Sequence, residues 1–301
     1  MHAAMLSLFS ESSRTATAMC AAGGSVLLLG AWTVRSDFAQ ARGIEKIIAL
    51  SHLCFAVPLA VFGAFHLFGS QFVIPLVPRY MPWRMFWVYA IGFALLAAAF
   101  SIATKIAVRW SAFLFGLMMF LFVAMIHFPG ALAKPGRIIW TIVFRECSFG
   151  GAAWILAGVA MGASRGPAKA TLTTVGRILV AATAIVFGIE HFLHPFGLPG
   201  VPLEKQMAAW IPGRALIDYL TGAALLVAGA SILLNRKTRV VAACAGGWLL
   251  LLILVIYVPV MISALFAPGL VVKVVGINYF ADTLLFAGTI LAPATAAPGS
   301  G

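Results

Sequence analysis

The sequence predicts an all-α polytopic membrane protein, with about nine transmembrane helices arranged as an N-terminal helix followed by two parallel four-helix repeats. Three observations lead to this fold class. Hydrophobic residues make up 63% of the 301 positions and charged residues only 9%, whereas soluble domains carry about a quarter charged residues. Apolar stretches of about 20 residues, the length that spans a bilayer as a helix, recur along the chain. The two halves of the chain also share short motifs in a common register.

Nine apolar segments are long enough to be transmembrane helices. The first is rich in Gly and Ala, and it reads either as a retained helix or as the core of a cleaved signal peptide, with Ala39-Gln40-Ala41 imitating a cleavage site. Arg35 and Asp37, which stand between the segment and that site, favour a retained helix. The predicted helices cover residues 16–34, 44–68, 83–105, 109–128, 138–162, 175–194, 215–234, 240–264 and 271–291.

An internal repeat organises the last eight of these helices. The motif FGAFH (62–66) matches FGIEH (187–191) at an offset of 125, and MPWRMFWVYAIG (81–92) matches IPGRALIDYLTG (211–222) at an offset of 130. Each copy holds four helices, an even number, so both copies enter the membrane from the same side and are parallel. The predicted domains are an N-terminal segment with its candidate helix (1–43), a first repeat (44–163), a second repeat (174–291) and a disordered tail (292–301).

The basic residues predict the orientation. The formal net charge is +12, but Lys and Arg occur in small groups between apolar stretches, which excludes nucleic acid as a partner and indicates a topology signal facing the lipid bilayer. Alternate loops carry eleven and eight Lys and Arg residues. The positive-inside rule then places the N-terminus outside and the C-terminus inside, in a bacterial cytoplasmic (inner) membrane. The four cysteines lie in apolar segments without a CxxC motif and predict no metal site.

This orientation places most ionisable residues of the helices in the outer half of the membrane. Charges at that depth are costly and normally face the bundle interior with a partner, so they predict an outward-opening polar site in which Arg145 is the counter-ion of Glu190 or Asp282. The stretch GIEHFLHPFG (188–197) is its centre, because an acid beside two imidazoles can bind or move a proton near neutral pH. The candidate polar site comprises Glu190, His191, His194, His66, His127, Arg145, Glu146, Asp218 and Asp282, with Trp210 and Phe192 as its aromatic lining.

Two alternatives exist for the histidines. They can be interfacial residues that anchor the protein at the headgroup level together with its Trp and Tyr side chains. Paired histidines on opposite helices can also bind haem iron, and His66 and His191 correspond in the repeat. Both lie so near the membrane surface that the sequence disfavours haem.

Short motifs shared by the two repeats resemble those of a known family. Each unit opens with a helix that ends in Gly-x-x-His (GAFH and GIEH), continues through a polar loop to a Pro-x-Arg helix start, and closes with a helix that contains LAG or FAG. Together these features resemble the DoxX-like superfamily over most of residues 44–291. The resemblance implies a four-helix membrane fold, here duplicated. It also implies a role beside membrane oxidoreductases that pass electrons to quinone, such as that of the small subunit of thiosulfate:quinone oxidoreductase.

The sequence therefore favours an accessory or quinone-interacting subunit of a membrane oxidoreductase system. In this hypothesis Glu190 and His191 exchange a proton, Arg145 holds a carbonyl or an anionic donor, and the two aromatic residues line the quinone ring. No cofactor motif is present, so a role beside a partner subunit is favoured over catalysis by this chain alone. The alternatives are a small-solute or proton-coupled carrier and a purely structural membrane module.

Overall fold

The protein is a bundle of long helices in a computed structural model that describes residues 2–162 and 166–297, with side chains from residue 14 onward. The described residues form no strand, and nine of their helices are long and apolar enough to cross a membrane, which confirms the all-α polytopic fold. These are α1 (Arg14–Gln40, the apolar part of the helix His2–Gln40), α2 (Ile44–Phe68), α3 (Arg84–Thr104), α4 (Val108–Ala133), α5 (Arg137–Val159), α6 (Pro167–Leu193), α7 (Arg214–Leu234), α8 (Thr238–Phe266) and α9 (Leu270–Ala296).

The helix ends differ from the prediction at both ends of the chain and at the start of α6, which begins at Pro167 where the sequence predicts residue 175. The first helix continues to Gln40, and the last continues to Ala296, so residues 292–296 are helical where the sequence predicts a disordered tail. The reason is packing, because Ala292 to Ala294 are buried and the Arg239 guanidinium donates hydrogen bonds to the carbonyls of Ala294 (2.9 Å) and Ala297 (3.0 Å). Residues 298–301 of the predicted tail lie outside the described part of the chain.

Two four-helix units, α2–α5 and α6–α9, repeat the same local conformations at the offset of 130. Both α4 and α8 contain a π-helical turn, at Val123–His127 and at Ile253–Tyr257. A proline follows two residues after each turn, where the missing backbone N–H loosens the hydrogen-bond ladder. Left-handed residues also correspond, with φ of 60° at Lys105 and 53° at Asn235.

Each unit packs its last helix against the first helix of the other unit. Within each unit the first two helices pack together, as α2 does on α3 and α6 on α7. Between the units, α5 packs on α6 and α9 packs on α2, while α5 and α9 meet at the centre. The α5–α6 contact is very close, because a Cβ on Gly176 would lie 2.2 Å from the Gly151 carbonyl oxygen. Each unit therefore completes its core with the last helix of the other.

The helix α1 packs against the first unit and α9. The Thr33 hydroxyl donates a 2.6 Å hydrogen bond to the carbonyl of Ala103, at the end of α3. The Lys105 ammonium bonds to the Asp37 carboxylate, also beside the end of α3. Polar contacts thus attach α1 to the first unit near one end of the bundle.

Candidate functional site

Three charged side chains form a cluster at the interface of the two units. Arg145 on α5 donates hydrogen bonds to Glu146 (2.8 Å) and to Asp282 on α9 (2.7 Å), and all three side chains are less than a fifth exposed. Of the two acids that the sequence offers as a counter-ion of Arg145, the structure thus selects Asp282. We refer to these three residues as the charged cluster. Buried charges in a bilayer need such partners, and here α5 of one unit and α9 of the other supply them.

A cavity of about 340 Å³ opens beside the charged cluster. All three residues of the cluster line it, together with His66 at the end of α2. The Arg145 guanidinium lies 5.9 Å from the ring centroid of Phe149, one of the aromatic walls. The aromatic lining of the cavity consists of Phe62, Phe65, Phe115, Phe122, Phe149 and Tyr279.

Two polar atoms at this cavity have no hydrogen-bond partner among the described residues. They are Nε of Arg145, a donor, and Oδ1 of Asn278, an acceptor, and both residues line the cavity. A buried polar group without a partner costs free energy, and it commonly indicates a ligand or a water molecule that completes it. The lining of the cavity therefore includes two residues that each carry one unsatisfied polar atom, a donor and an acceptor, beside an aromatic wall.

Of the two first-unit histidines predicted for the site, only His66 lines the cavity. Its Nδ1 lies 2.8 Å from the Phe62 carbonyl oxygen, which holds the ring against its own helix. His127 belongs to the π-helical turn of α4 and lies within electrostatic reach of Glu146 and Arg145, but it does not line the cavity. The haem geometry of paired axial histidines is not formed, because His191 is engaged in the other unit.

In the second unit, the place that corresponds to the cavity is filled by a loop segment, residues 198–201, which we call the plug. Gly200 of the plug donates its N–H to Nε2 of His191 (3.1 Å), and a Cβ on Gly200 would meet Cδ2 of Leu249 at 3.4 Å. His191 and Leu249 are the equivalents of His66 and Met119, which line the cavity of the first unit. The loop is five residues longer in the second unit, and the extra length allows the plug to enter the bundle.

His191 and Asp218 form a buried pair under the plug. They are 1% and 0% exposed, and Nδ1 of His191 lies 3.2 Å from Oδ1 of Asp218. Nε2 of His191 contacts both the N–H (3.1 Å) and the carbonyl oxygen (3.3 Å) of Gly200, and both carboxylate oxygens of Asp218 lack a hydrogen-bond partner among the described residues. Tyr257 adds a 2.6 Å hydrogen bond from its hydroxyl to the Pro199 carbonyl, so this buried polar group serves to hold the plug.

Glu190 and His194 do not line the cavity beside Arg145, but His194 and His191 both border a separate pocket of about 370 Å³. Glu190 pairs with Arg137 at 3.3 Å and is 3.8 Å from His194, whose side chain is half exposed. Arg137 also donates to the Pro202 carbonyl (2.9 Å), which ties the start of α5 to the loop. His191 contacts the plug through its Nε2 and also borders this pocket beside His194, while Glu190 adjoins it through its pair with Arg137.

The predicted aromatic lining is also placed elsewhere. Trp210 is 63% exposed and Phe192 is 43% exposed, and neither borders the cavity. Phe192 stacks on Tyr219 with ring centroids 5.6 Å apart, on the outer surface of the α6–α7 pair. Both residues face away from the bundle, where aromatic side chains commonly contact the membrane interface.

The comparisons with known proteins add no relative. No protein-family model, curated protein or solved structure matches the chain. In the part of the chain that the structure describes, no group of three or more His, Cys, Asp or Glu side chains is placed to hold a metal ion.

Proposed function

We propose that this integral membrane protein binds a lipid-soluble ring compound of the quinone class in the cavity beside Arg145. We further propose that it acts as an accessory or quinone-interacting subunit of a membrane oxidoreductase system. The observation that carries the proposal is the combination of an aromatic-lined cavity with an unused donor on Arg145 and an unused acceptor on Asn278. A mostly apolar pocket with a few convergent polar groups is the usual form of a small-molecule site.

The chemistry of the lining suits both redox forms of such a ring. A quinone carbonyl accepts hydrogen bonds, and the Nε–H of Arg145 can supply one. The hydroxyl of the reduced form donates, and Asn278 or the carboxylates of Glu146 and Asp282 can accept. The phenylalanine walls would pack on the ring and on the start of its apolar tail. The electrons would come from a partner subunit, because the proposed role of this chain is binding and proton exchange.

The features shared by the two units support a proposed family relationship. The resemblance to the DoxX-like superfamily rests on the motifs shared by the two units, and their matching π-helical turns and left-handed residues favour a duplication of one four-helix ancestor. In this proposal the cavity of the first unit remains open and that of the second has been closed by the plug. Residence in a bacterial inner membrane, with the N-terminus outside, belongs to the same proposal and rests on the loop charges.

Organic extraction of the purified full chain tests the proposed ligand. We expect the protein to carry close to one quinone per chain, and we expect Asn278→Leu and Arg145→Gln to reduce that content at least about fivefold, the effect of one lost hydrogen bond to a charged or buried group. Glu190→Gln is the matched control, because Glu190 does not line the cavity, and its quinone content should stay unchanged. Equal quinone content in all four proteins, or none in the unaltered protein, would overturn the proposal.

A proton-coupled carrier is the competing function, because the charged cluster could also bind a polar solute. Uptake into proteoliposomes distinguishes the two. The quinone proposal expects no solute accumulation that depends on Asp282, so uptake that is driven by a pH gradient and lost in Asp282→Asn would favour the carrier instead.

A further inference from the structure

A second, smaller cavity lies at the opposite end of the bundle, where α6 begins and α7 ends. Its volume is about 160 Å³, and α5, α6, α9 and the turn between α7 and α8 enclose it. At about 30 Å³ per water it could hold about five waters, enough room for a phosphate group. Its polar lining consists of Thr173, Thr174, Arg177, Asn235 and Thr238.

Arg177 is the only ionisable residue of this lining, and its charge is not balanced. Its Nε is buried without a hydrogen-bond partner, and among the described residues no acid forms an ion pair with it. At this end of the bundle, the carboxylate of Glu45 is already paired with Arg239 through two hydrogen bonds. A partly buried guanidinium without an acidic partner favours the binding of an anionic group beside it.

The start of α8 adds further donors at the same place. Val241 is the first residue of this helix whose N–H reaches a carbonyl one turn back, that of Lys237 at 3.1 Å. The preceding N–H groups, beginning at Thr238, have no helical acceptor, and they carry the positive end of the helix dipole. Since Thr238 lines the cavity, the helix start and Arg177 both contribute positive potential to it.

In the first unit, an acidic side chain balances the basic residues at the corresponding position. The equivalents of Arg177 and Asn235 are His52 and Lys105. There the Asp37 carboxylate of α1 bonds to Lys105, and it lies within electrostatic reach of His52. In the first unit, the chain itself thus supplies a carboxylate at the position that corresponds to the cavity.

We propose that the cavity at Arg177 binds an anionic phosphate group, either the headgroup of a phospholipid or free phosphate. Arg177 would bind its oxygens through the guanidinium, and the Thr174 hydroxyl, the Asn235 amide and the start of α8 would complete the contacts. The inference is independent of the quinone proposal, because the two cavities lie at opposite ends of the bundle and share no lining residue.

Native mass spectrometry of the full chain in neutral detergent, with phosphatidylglycerol added, tests the lipid source. We expect one tightly held lipid, and a loss of affinity of at least about fivefold in Arg177→Gln, as for one basic side chain at an anionic lipid. Arg177→Lys should retain part of the affinity. Arg236→Gln is the matched control, because it removes the same charge from the same end of the bundle without touching the cavity, and it should bind as the unaltered protein does.

Thermal unfolding with inorganic phosphate tests the free anion. Stabilisation of the unaltered protein and of Arg236→Gln, but not of Arg177→Gln, supports a free phosphate, and retention of phosphatidylglycerol without a phosphate effect supports the headgroup. Binding of both probes through Arg177 supports the shared phosphate chemistry. If Arg177→Gln keeps its helical circular dichroism and binds both probes as tightly as Arg236→Gln, or if the unaltered protein binds neither, the proposal is wrong.

Discussion

Replacing Arg145 by glutamine should lower the free energy of unfolding by about 3–5 kcal/mol, the usual cost of removing one partner from a buried ion pair. The structure supports a value in this range. The guanidinium contacts two carboxylates at 2.7 and 2.8 Å, and its side chain is only 17% exposed, so solvent screens the pairs weakly. With an effective dielectric constant of about 20, one pair of unit charges 4 Å apart interacts by about 4 kcal/mol.

Denaturant unfolding in mixed micelles, followed by circular dichroism and extrapolated linearly, measures this change. A triple variant that also carries Glu146→Gln and Asp282→Asn separates the charge effect from a packing effect, because it removes the unpaired acids together with the cation. We expect the triple variant to recover at least about half of the lost stability, since neutral amides bury at lower cost than unpaired charges. A loss below about 1 kcal/mol in the single variant, or a triple variant as unstable as the single one, would refute the assignment of the cluster as a buried ion-pair network.

Three further predictions concern the plug and the contact between the units. Gly200→Ala should lower the free energy of unfolding by about 1–3 kcal/mol, because φ at this position is 112°. Gly197→Ala, in the same loop but without a positive φ, should lower it much less. The same unfolding assay compares the two variants, and equal losses would contradict the role of backbone strain. Gly176→Ala should lower the free energy of unfolding by about 1–3 kcal/mol, because the added methyl group pushes α5 away from α6. Gly24→Ala, whose Cβ would meet nothing within 4 Å, should be neutral or mildly stabilising. An unchanged stability of Gly176→Ala would show that the two helices are not in close contact. His191→Ala leaves the buried plug N–H without its acceptor at a cost of about 1–3 kcal/mol. Limited proteolysis of the loop should therefore become roughly 5- to 160-fold faster, and an unchanged cleavage rate would show that His191 does not hold the plug.

Much of the fold follows from the sequence because its determinants are local. Helix length against bilayer thickness predicts all nine spans, and the register of the two repeats anticipates which turns would match. The helix ends are less predictable, since Ala292 to Ala294 become helical only through packing and through the hydrogen bonds of Arg239 to the last carbonyls. Nothing in the composition of that tail carries this tertiary information.

The sequence predicts that the candidate residues lie inside the helix bundle, but it does not predict all of the contacts among them. The sequence predicts Glu190 or Asp282 as the counter-ion of Arg145, because buried charges need partners, and the structure pairs Arg145 with Asp282. His191 and His194 border one pocket, but the buried contact of His191 with Asp218 on the next helix cannot be read from the stretch GIEHFLHPFG alone. The aromatic lining was assigned to Trp210 and Phe192 by nearness in sequence, whereas helices distant in the chain supply it.

The sequence contains one signal of the plug, a change of loop length between the repeats. The offset between the repeats changes from 125 to 130 within the loop that follows the first helix of each unit. Five extra residues give that loop the length to enter the bundle, and Gly200, with a φ of 112°, allows the backbone conformation of the plug. A length change between otherwise matched units is therefore a reason to expect that one unit has lost an open cavity.

Photolabelling with an azidoquinone, followed by peptide mass spectrometry, tests the central claim most directly. The label should attach to peptides that line the cavity, within residues 115–122 of α4 and 275–285 of α9, and an excess of unlabelled short-chain quinone should suppress it. Val275→Trp, which places a large ring in the cavity, should abolish that labelling, while Glu190→Gln should leave it intact. Labelling that is spread over the lipid-facing surfaces, or that persists in Val275→Trp, would contradict a quinone site beside Arg145.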